Sequence, residues 1–355
     1  MSSVKKRPDG KWRARYRDSA GKEHSRHFDR KTDAQDWIDE VTTAVRTGTY
    51  VDPKTAKTTV GDWCDTWIEG YRTRRPSTVR QAEVHIAHIR AAFGPQRLAD
   101  VKPSQVKAWC AKLGADGYAD STVYAIHARL SQIMSDAVHD GVIARNPCSR
   151  RTSPRSGKQR PYVATTAQVW ALHDAMPEHL RPAVLLGAFA GLRIAEACGL
   201  RISDVDFMRG IVSPAVQYPA DPLKSEMSRT PVPIPHELAL ELSKYAAGER
   251  WMLEDMLGVQ VGPWQVERAV RAARGPAGLP EGFRFHDLRH YFASLLIQAG
   301  CDVKIVQTRL RHASATTTLN TYAHMWPDTE ESTRAAVANV LTARADSLRT
   351  RAASK

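Results

Sequence analysis

Residues 310–324 read LRHASATTTLNTYAH and place a histidine, His312, ten positions before a tyrosine, Tyr322. Three earlier fragments of the second half also carry ionisable side chains: AGLRIAEA at residues 190–197, LKSEMSRTPVP at 223–233 and HDLRH at 286–290. Any one fragment is a weak signal, because short motifs occur by chance. The joint occurrence of all four fragments in this order is a specific signal.

In these four fragments the chain resembles the tyrosine recombinases of the phage-integrase family. The resemblance implies that Tyr322 attacks DNA to form a 3′-phosphotyrosyl bond, and that four protomers exchange strands at two double-stranded attachment sites through a Holliday junction. Arg311 stands where many relatives have glycine, so it would either contact a phosphate or face solvent. The catalytic set implied by the resemblance is Arg193, Lys224, His286, Arg289, His312 and Tyr322.

The two arginines of this set suit a phosphate group. A phosphodiester under attack gains negative charge on its two non-bridging oxygens, and a planar guanidinium holds such oxygens through paired charge-assisted hydrogen bonds. His286 and Arg289 are three residues apart, so on a helix they share one face. His312 can donate a further hydrogen bond.

Tyr322 needs help to become a nucleophile. Because a phenol has an ordinary pKa of about 10, it requires a base or a strongly positive site at neutral pH. His286 is the candidate base, although the residues alone do not decide between His286 and His312. Lys224 could protonate the departing 5′-oxygen. Since the phosphotyrosine bond conserves the energy of the phosphodiester, no ATP, metal or other cofactor is expected.

The first residues predict a small α+β domain, residues 1–57. Basic and apolar residues alternate over residues 4–28 around two turn signals, as in an antiparallel sheet, and Thr32 with Gln35 has the spacing of a capping box. Residues 1–30 hold ten Lys or Arg and four Asp or Glu. This unit is expected to bind arm-type DNA sites, with a solvated basic hairpin as the alternative.

An all-helical domain is expected at residues 58–150, which by the resemblance would be the SAM-like core-binding domain. Gly94, Gly114 and Gly141 stand where helix C-terminal caps are expected. Residues 150–160 contain five basic and no acidic residues, which suits a connector along DNA or a plain solvated linker. Apolar periodicity predicts the helices 60–71, 78–93, 104–113 and 122–140.

Residues 151–340 predict a mixed, mainly α-helical catalytic domain of the DNA breaking-rejoining type, which would form a C-shaped clamp with the helical domain. Strand-like stretches at 211–217 and 229–234 predict one hairpin with Lys224 near its tip. Residues 332–348, which run into a C-terminal tail (341–355), have helical apolar spacing. They are expected to pack on a neighbouring subunit.

Composition bears on partners and compartment. The 355 residues include 51 Lys or Arg against 38 Asp or Glu, a net charge of +13, which favours a nucleic-acid partner. The five cysteines include no C-x-x-C pair and are expected to be buried thiols in a reducing compartment. No apolar run reaches membrane-spanning length. We therefore expect a protein of the bacterial cytoplasm, associated with the nucleoid and not with a membrane.

The separate N-terminal unit favours a heterobivalent phage-type integrase that integrates phage DNA, with a host DNA-bending protein and an excision factor as partners. A type IB topoisomerase is the alternative within the same chemistry, and a catalytically silent DNA-binding regulator is the alternative from another class. Glu196 is expected to orient Arg193 or to cap its helix. His290 and His324 are expected to be structural.

Overall fold

The computed structural model describes residues 2–17, 21–47, 55–157, 161–246, 250–326, 334 and 337–344. The chain divides into two compact units, Met1–Lys158 and Gln159–Lys355. The predicted boundary after residue 150 therefore lies inside the first unit, and the three-domain division stays a prediction. Of the connector, Lys158 and Arg160 lie outside the described residues.

A three-stranded antiparallel sheet begins the first unit, with β1 (Ser3–Lys6), β2 (Trp12–Arg17) and β3 (Glu23–Phe28) in sequential order. Helix α1 (Lys31–Arg46) packs against the sheet. The alternating pattern turns the small and aromatic side chains of β2 toward the helix. The resulting core contains Ala14, Tyr16, Ala34 and Ile38.

The predicted capping box at the start of α1 is wrong. The helix begins at Lys31, so Thr32 and Gln35 lie inside it, and no side chain caps its first turn. The Thr32 hydroxyl donates to Asp33, and the Gln35 amide donates to Asp39. Only two residues, Asp29 and Arg30, separate the end of β3 from the start of the helix.

Four helices complete the described part of the first unit, close to their predicted spans. Their apolar faces enclose a second core around Trp63, Ile89 and Leu130. A short 3₁₀ turn at Thr55–Lys57 precedes the first of them, and another at Leu98–Asp100 lies between the second and the third. The helices are α2 (Val60–Tyr71), α3 (Pro76–Phe93), α4 (Pro103–Ala115) and α5 (Asp120–His139).

The three glycines predicted as helix caps behave differently. Gly141 follows α5 with φ of 69°, as a left-handed cap requires, and Gly94 caps α3 with a right-handed backbone. Gly114 lies inside α4, so its prediction is wrong. Gly117, with φ of 92°, takes the left-handed position after α4 instead.

The second unit is mainly helical. Helix α7 (Arg181–Phe189) is almost entirely buried and packs against helix α11 (Phe285–Gln298). Gly187 allows this close approach, since a Cβ there would lie 2.9 Å from the Phe285 ring. The helices are α6 (Thr166–Ala175), α7 (Arg181–Phe189), α8 (Ile194–Cys198), α9 (His236–Ser243), α10 (Pro263–Ala273), α11 (Phe285–Gln298), α12 (Val303–Arg309) and α13 (Ala315–Tyr322).

The described strands of this unit form two small sheets. The pairing of residues 211–212 with 232–233 is confirmed, but a single hairpin is wrong, because residues 216–217 turn back to pair with 221–222. The Tyr218 amide donates to the Ala195 carbonyl at 2.7 Å, which holds this turn against α8. The strands are β4 (Val205–Asp206), β5 (Ile211–Val212), β6 (Val216–Gln217), β7 (Asp221–Pro222) and β8 (Val232–Pro233).

Several other expectations concern the exposure of side chains. Four of the five cysteines are buried, and Cys301 is partly buried. Residues 337–344 are helical and expose Val337, Val340 and Leu341. The rest of the 332–348 segment lies outside the described residues, apart from Arg334, so its packing on a neighbour stays a prediction. Within the described ranges, no helix is long and apolar enough to cross a membrane.

Candidate active site

Arg289 lies within α11 and is 1% exposed. Its guanidinium donates to the carbonyls of Gly191 and Leu310. Gly191 has φ of 61°, and a Cβ there would lie 2.4 Å from the Phe292 ring, so the loop before α8 needs glycine at this point. Burial and the charge of Arg193 lower the pKa of Arg289 to about 9. The group therefore remains cationic at neutral pH.

Arg193 precedes the first turn of α8 and is held by Glu196. The Arg193 amide donates to Oε2 of Glu196 at 2.9 Å, and Nη1 donates to Oε1 at 2.8 Å. Glu196 thus orients Arg193 and caps the helix, as expected. About 30% of the Arg193 side chain stays exposed, so the guanidinium is held in place and still accessible to an anion.

The two arginines meet at one turn of the chain. Arg289 donates to the Leu310 carbonyl, and Nη2 of Arg193 donates to the Arg311 carbonyl at 3.2 Å. The expectation that Arg311 contacts a phosphate or faces solvent is wrong, because its side chain is 0% exposed. Its Nη2 donates instead to Oε2 of Glu196 at 2.7 Å.

Three arginines and one carboxylate leave this cluster with a net positive charge. Burial opposes ionisation of Glu196, but the charges of Arg311 and Arg193 outweigh it and lower the pKa of the carboxyl. Glu196 is therefore ionised and offsets only one of the three cations. A fixed, partly desolvated positive site of this kind is suited to an anion that gains charge during reaction.

Tyr322 ends α13 and is 2% exposed. Its hydroxyl oxygen lies 2.6 Å from Nδ1 of His290, and its ring packs among the apolar side chains of α11 and α12. Burial raises the pKa of Tyr322 to about 12 and lowers that of His290 to about 4. Both groups are neutral at pH 7, and in the tautomer protonated on Nε2 the His290 Nδ1 accepts a hydrogen bond from the tyrosine hydroxyl.

The other histidines of the set lie beside this pair. His286 packs edge-on against His290, with ring centroids 4.8 Å apart, and is exposed. Nδ1 of His312 lies 2.9 Å from the Thr318 hydroxyl. Burial and the charge of Arg289 lower the pKa of His312 to about 4. Within the described residues, neither ring forms a hydrogen bond to Tyr322.

Lys224 lies apart from the cluster. It follows β7 in an exposed loop, and its ammonium forms no hydrogen bond or ion pair within the described part of the chain. The next turn, Glu226–Arg229, is nevertheless tied to the site, because Nη1 of Arg193 donates to the Ser228 hydroxyl at 3.3 Å. The structure thus anchors the loop near the arginines but leaves the lysine in solvent.

Sequence reasoning missed two contacts. His290 occupies the position expected to be structural, yet it is the ring that contacts Tyr322. Its spacing of four from His286 was the available signal, since both then share a face of α11. For Arg311, the signal was a large cationic side chain in a position where many relatives have glycine. A strong tertiary contact is needed to stabilise such a side chain there.

Comparisons with known proteins identify the family and the fold. The model of the phage integrase family matches residues 163–328, that of the phage integrase N-terminal domain matches 2–47, and that of the N-terminal SAM-like domain matches 59–114. The chain therefore belongs to the phage integrase family and is a tyrosine-type site-specific DNA recombinase.

Curated relatives extend over most of the chain. A tyrosine recombinase XerC-like protein of Caldanaerobacter subterraneus subsp. tengcongensis is 25% identical over 361 residues, 88% of this chain and 90% of that protein. The prophage phiRv2 integrase of Mycobacterium tuberculosis is 27% identical over 345 residues, 89% of each chain.

A solved structure shares the fold. A lambda integrase tetramer bound to a Holliday junction matches with a TM-score of 0.59 at 22% identity, covering 88% of this chain and 96% of that one. The expected fold class is confirmed: a small N-terminal domain, a helical SAM-like domain and a mixed, mainly α-helical catalytic domain.

Proposed function

We propose that this protein is a phage-type integrase that cuts and rejoins double-stranded DNA at specific attachment sites through a covalent bond between Tyr322 and a 3′-phosphate. The observation that supports this most directly is the 2.6 Å contact between the Tyr322 hydroxyl and His290. This contact places a proton acceptor beside the phenol, one residue from Arg289. A phosphodiester requires a positive charge such as that of Arg289 near it.

Arg193, whose side chain is about 30% exposed, holds a non-bridging oxygen of the scissile phosphate, and His312 donates to the same group. Arg289 adds positive charge to the site from its buried position. The support is the rigid attachment of both guanidinium groups to the turn before His312. Because these donors are already oriented, little reorganisation is needed when the phosphate gains charge in the transition state.

His290 accepts the proton of Tyr322, in place of the expected base His286. The pKa of about 12 for Tyr322 and about 4 for His290 make transfer before attack unfavourable. The proton therefore moves as the oxygen–phosphorus bond forms, when the phenol becomes more acidic. A bound phosphate also favours the imidazolium, since an anion nearby raises a histidine pKa. His286 packs against His290 and orients its ring.

The departing 5′-oxygen receives its proton from Lys224. The lysine is solvated in this structure, and the turn that follows it is anchored to Arg193 through Ser228. DNA entering the site would supply the negative charge that draws the ammonium inward. Rejoining reverses these steps, with the 5′-hydroxyl attacking the phosphotyrosine bond, so that no ATP, metal or cofactor takes part.

The proposed assembly is a tetramer on DNA with a separate role for each domain. Four protomers act on two attachment sites through a Holliday junction, as the lambda integrase tetramer suggests. Residues 1–57 bind arm-type sites, 58–150 bind the core site, and 151–340 carry catalysis, followed by the tail 341–355. A host DNA-bending protein and an excision factor assist integration and excision of phage DNA at the nucleoid, in the bacterial cytoplasm.

Covalent trapping tests the nucleophile. Duplexes selected from a randomised pool by binding to the protein are rebuilt with a nick beside each candidate phosphate, so that the cleaved end is lost and the adduct accumulates. The wild type should form a denaturant-stable adduct, and Tyr322→Phe should form none. Tyr291→Phe is the matched control, because its buried hydroxyl contacts Thr166 at 3.0 Å instead.

The other outcomes separate the alternatives. An adduct in Tyr322→Phe would place the nucleophile elsewhere. Absence of any wild-type adduct on duplexes that it binds tightly would favour a silent DNA-binding regulator. Relaxation of supercoiled plasmids that lack a selected site would favour a type IB topoisomerase.

A further inference from the structure

Arg311 occupies a backbone position that ordinarily favours glycine. Its φ is 53°, in the left-handed region, and its side chain is completely buried. A long side chain in this region is strained, and a buried guanidinium also loses its hydration. Both costs fall on one residue, so strong contacts must offset them.

These contacts all surround Arg193. Nη2 of Arg311 donates to Glu196, the carboxylate that also holds Arg193. The Arg311 carbonyl accepts from Nη2 of Arg193, and Nη1 of Arg311 donates to the Ser228 carbonyl at 3.4 Å. The side chain and main chain of Arg311 therefore touch Arg193, its carboxylate partner and the turn that follows Lys224.

We propose that Arg311 is a positioning residue for phosphate binding, which orients Arg193 through Glu196 and anchors the Lys224 loop through Ser228. This inference rests on the proposed function and deepens it. Arg311 does not reach the DNA, since it has no exposed surface. It acts through the groups that do.

The charge balance explains why a second arginine is useful. A single buried Glu196 paired only with Arg193 would neutralise the cation that must bind phosphate. With Arg311 on the same carboxylate, the three side chains together carry a net charge of +1. Arg311 also keeps Glu196 ionised, because its charge opposes the effect of burial on the pKa of that carboxyl.

Replacement by glycine separates positioning from simple space filling. Arg311→Gly removes both the backbone strain and the side chain. If Arg311 only fills space, the glycine variant should be at least as active as the wild type. A positioning residue predicts the opposite. We expect the first-order rate of adduct formation at saturating DNA to fall roughly 10- to 100-fold, the usual effect of removing a group that orients a ligating side chain. The DNA dissociation constant should change little.

Two variants control this comparison. Arg311→Lys keeps the charge but cannot contact Glu196 and Ser228 together, so it should recover part of the rate, and it carries the test if the glycine variant does not fold. Arg209→Ala removes an exposed arginine whose nearest acidic partner, Asp206, lies 3.9 Å away. Its rate should match the wild type.

The pH profile provides a readout that a merely structural role would not change. In Arg311→Gly, Glu196 would face only Arg193 from the start of α8 and Arg289 from α11, so its pKa should rise. Because the ionised carboxylate holds Arg193, the variant should lose rate as pH falls and recover it as pH rises. A profile parallel to that of the wild type would contradict the proposal.

A measurement without DNA keeps this inference separate from the proposed function. The ¹⁵N resonance of the Arg193 guanidinium, assigned with Arg193→Lys, should be sharp in the wild type and broadened by motion in Arg311→Gly. Equally sharp signals, or a glycine variant that cleaves within twofold of the wild-type rate, would overturn the role of Arg311. Failure of the wild type to form any adduct would instead overturn the proposed function and leave the guanidinium result to stand by itself.

Discussion

His290 is the described residue whose ring contacts the Tyr322 hydroxyl, and we propose that it is the general base. Its Nδ1 lies 2.6 Å from the tyrosine oxygen, and its low pKa of about 4 keeps the ring neutral over the physiological pH range. The neighbouring His286 has the more exposed position and no such contact among the described residues. The two histidines therefore have separable roles.

Replacing His290 tests this assignment. We expect His290→Ala to slow adduct formation by about 10²- to 10⁴-fold, the usual contribution of a general base, while DNA affinity is retained. His286→Ala should have the smaller effect. His324→Ala, which removes an exposed histidine two residues after Tyr322, serves as the control. A larger loss in His286→Ala than in His290→Ala would return the base to His286.

Among the secondary-structure elements, the packing of α7 against α11 positions Arg289 in the candidate site. Gly187 allows this approach, since a Cβ there would lie 2.9 Å from Phe285 and 3.1 Å from Leu288. Arg289 follows on α11 and binds the loop after α7 through the Gly191 carbonyl. The distance between the two helices therefore determines whether that hydrogen bond can form.

Widening this helix contact should damage both stability and activity. Gly187→Val is expected to lower the free energy of unfolding by about 1–3 kcal/mol through overpacking, and to slow adduct formation because Arg289 is displaced. Calorimetry and single-turnover cleavage measure the two effects. Gly275→Ala provides the control, because a Cβ at that position meets no atom within 4 Å. A fully active, fully stable Gly187→Val protein would contradict this account of the helix pair.

Over the whole molecule, the histidines with a lowered pKa predict how stability depends on pH. Five described histidines in the two units have a pKa lowered chiefly by burial, namely His85, His127, His286, His290 and His312. A lowered folded-state pKa means that the unfolded chain binds protons more readily. The contribution of these histidines to the free energy of unfolding is complete above the ordinary histidine pKa near 6.5. It is lost as the pH falls through their pKa values in the folded state.

Both units should therefore melt at lower temperature at pH 5 than at pH 7, with little change between pH 7 and 8. Calorimetry over this range measures the effect. The double variant His290→Asn with His312→Asn should show a weaker dependence in the second unit only, since its two most strongly shifted histidines are then absent. An equally steep dependence in that variant would assign the effect to other groups.

Much of the architecture follows from local sequence. The helix predicted over residues 60–71 has those bounds, and the sheet of residues 4–28 forms as the alternation predicts. Both patterns record the burial of one face of one element, so neighbouring residues suffice to detect them. The order of the four fragments from residue 190 to 324 likewise identified the family and fold, which the comparisons confirmed.

Most helices, the family and the candidate set could be predicted from the order of the amino acids, whereas tertiary packing selects which members of that set meet. Which histidine faces Tyr322 depends on how α13 packs on α11, and the burial of Arg311 depends on Glu196, 115 residues away. The split of the predicted hairpin likewise depends on the bond between Tyr218 and Ala195. Such contacts join segments that are distant in sequence, so no local periodicity carries their signal.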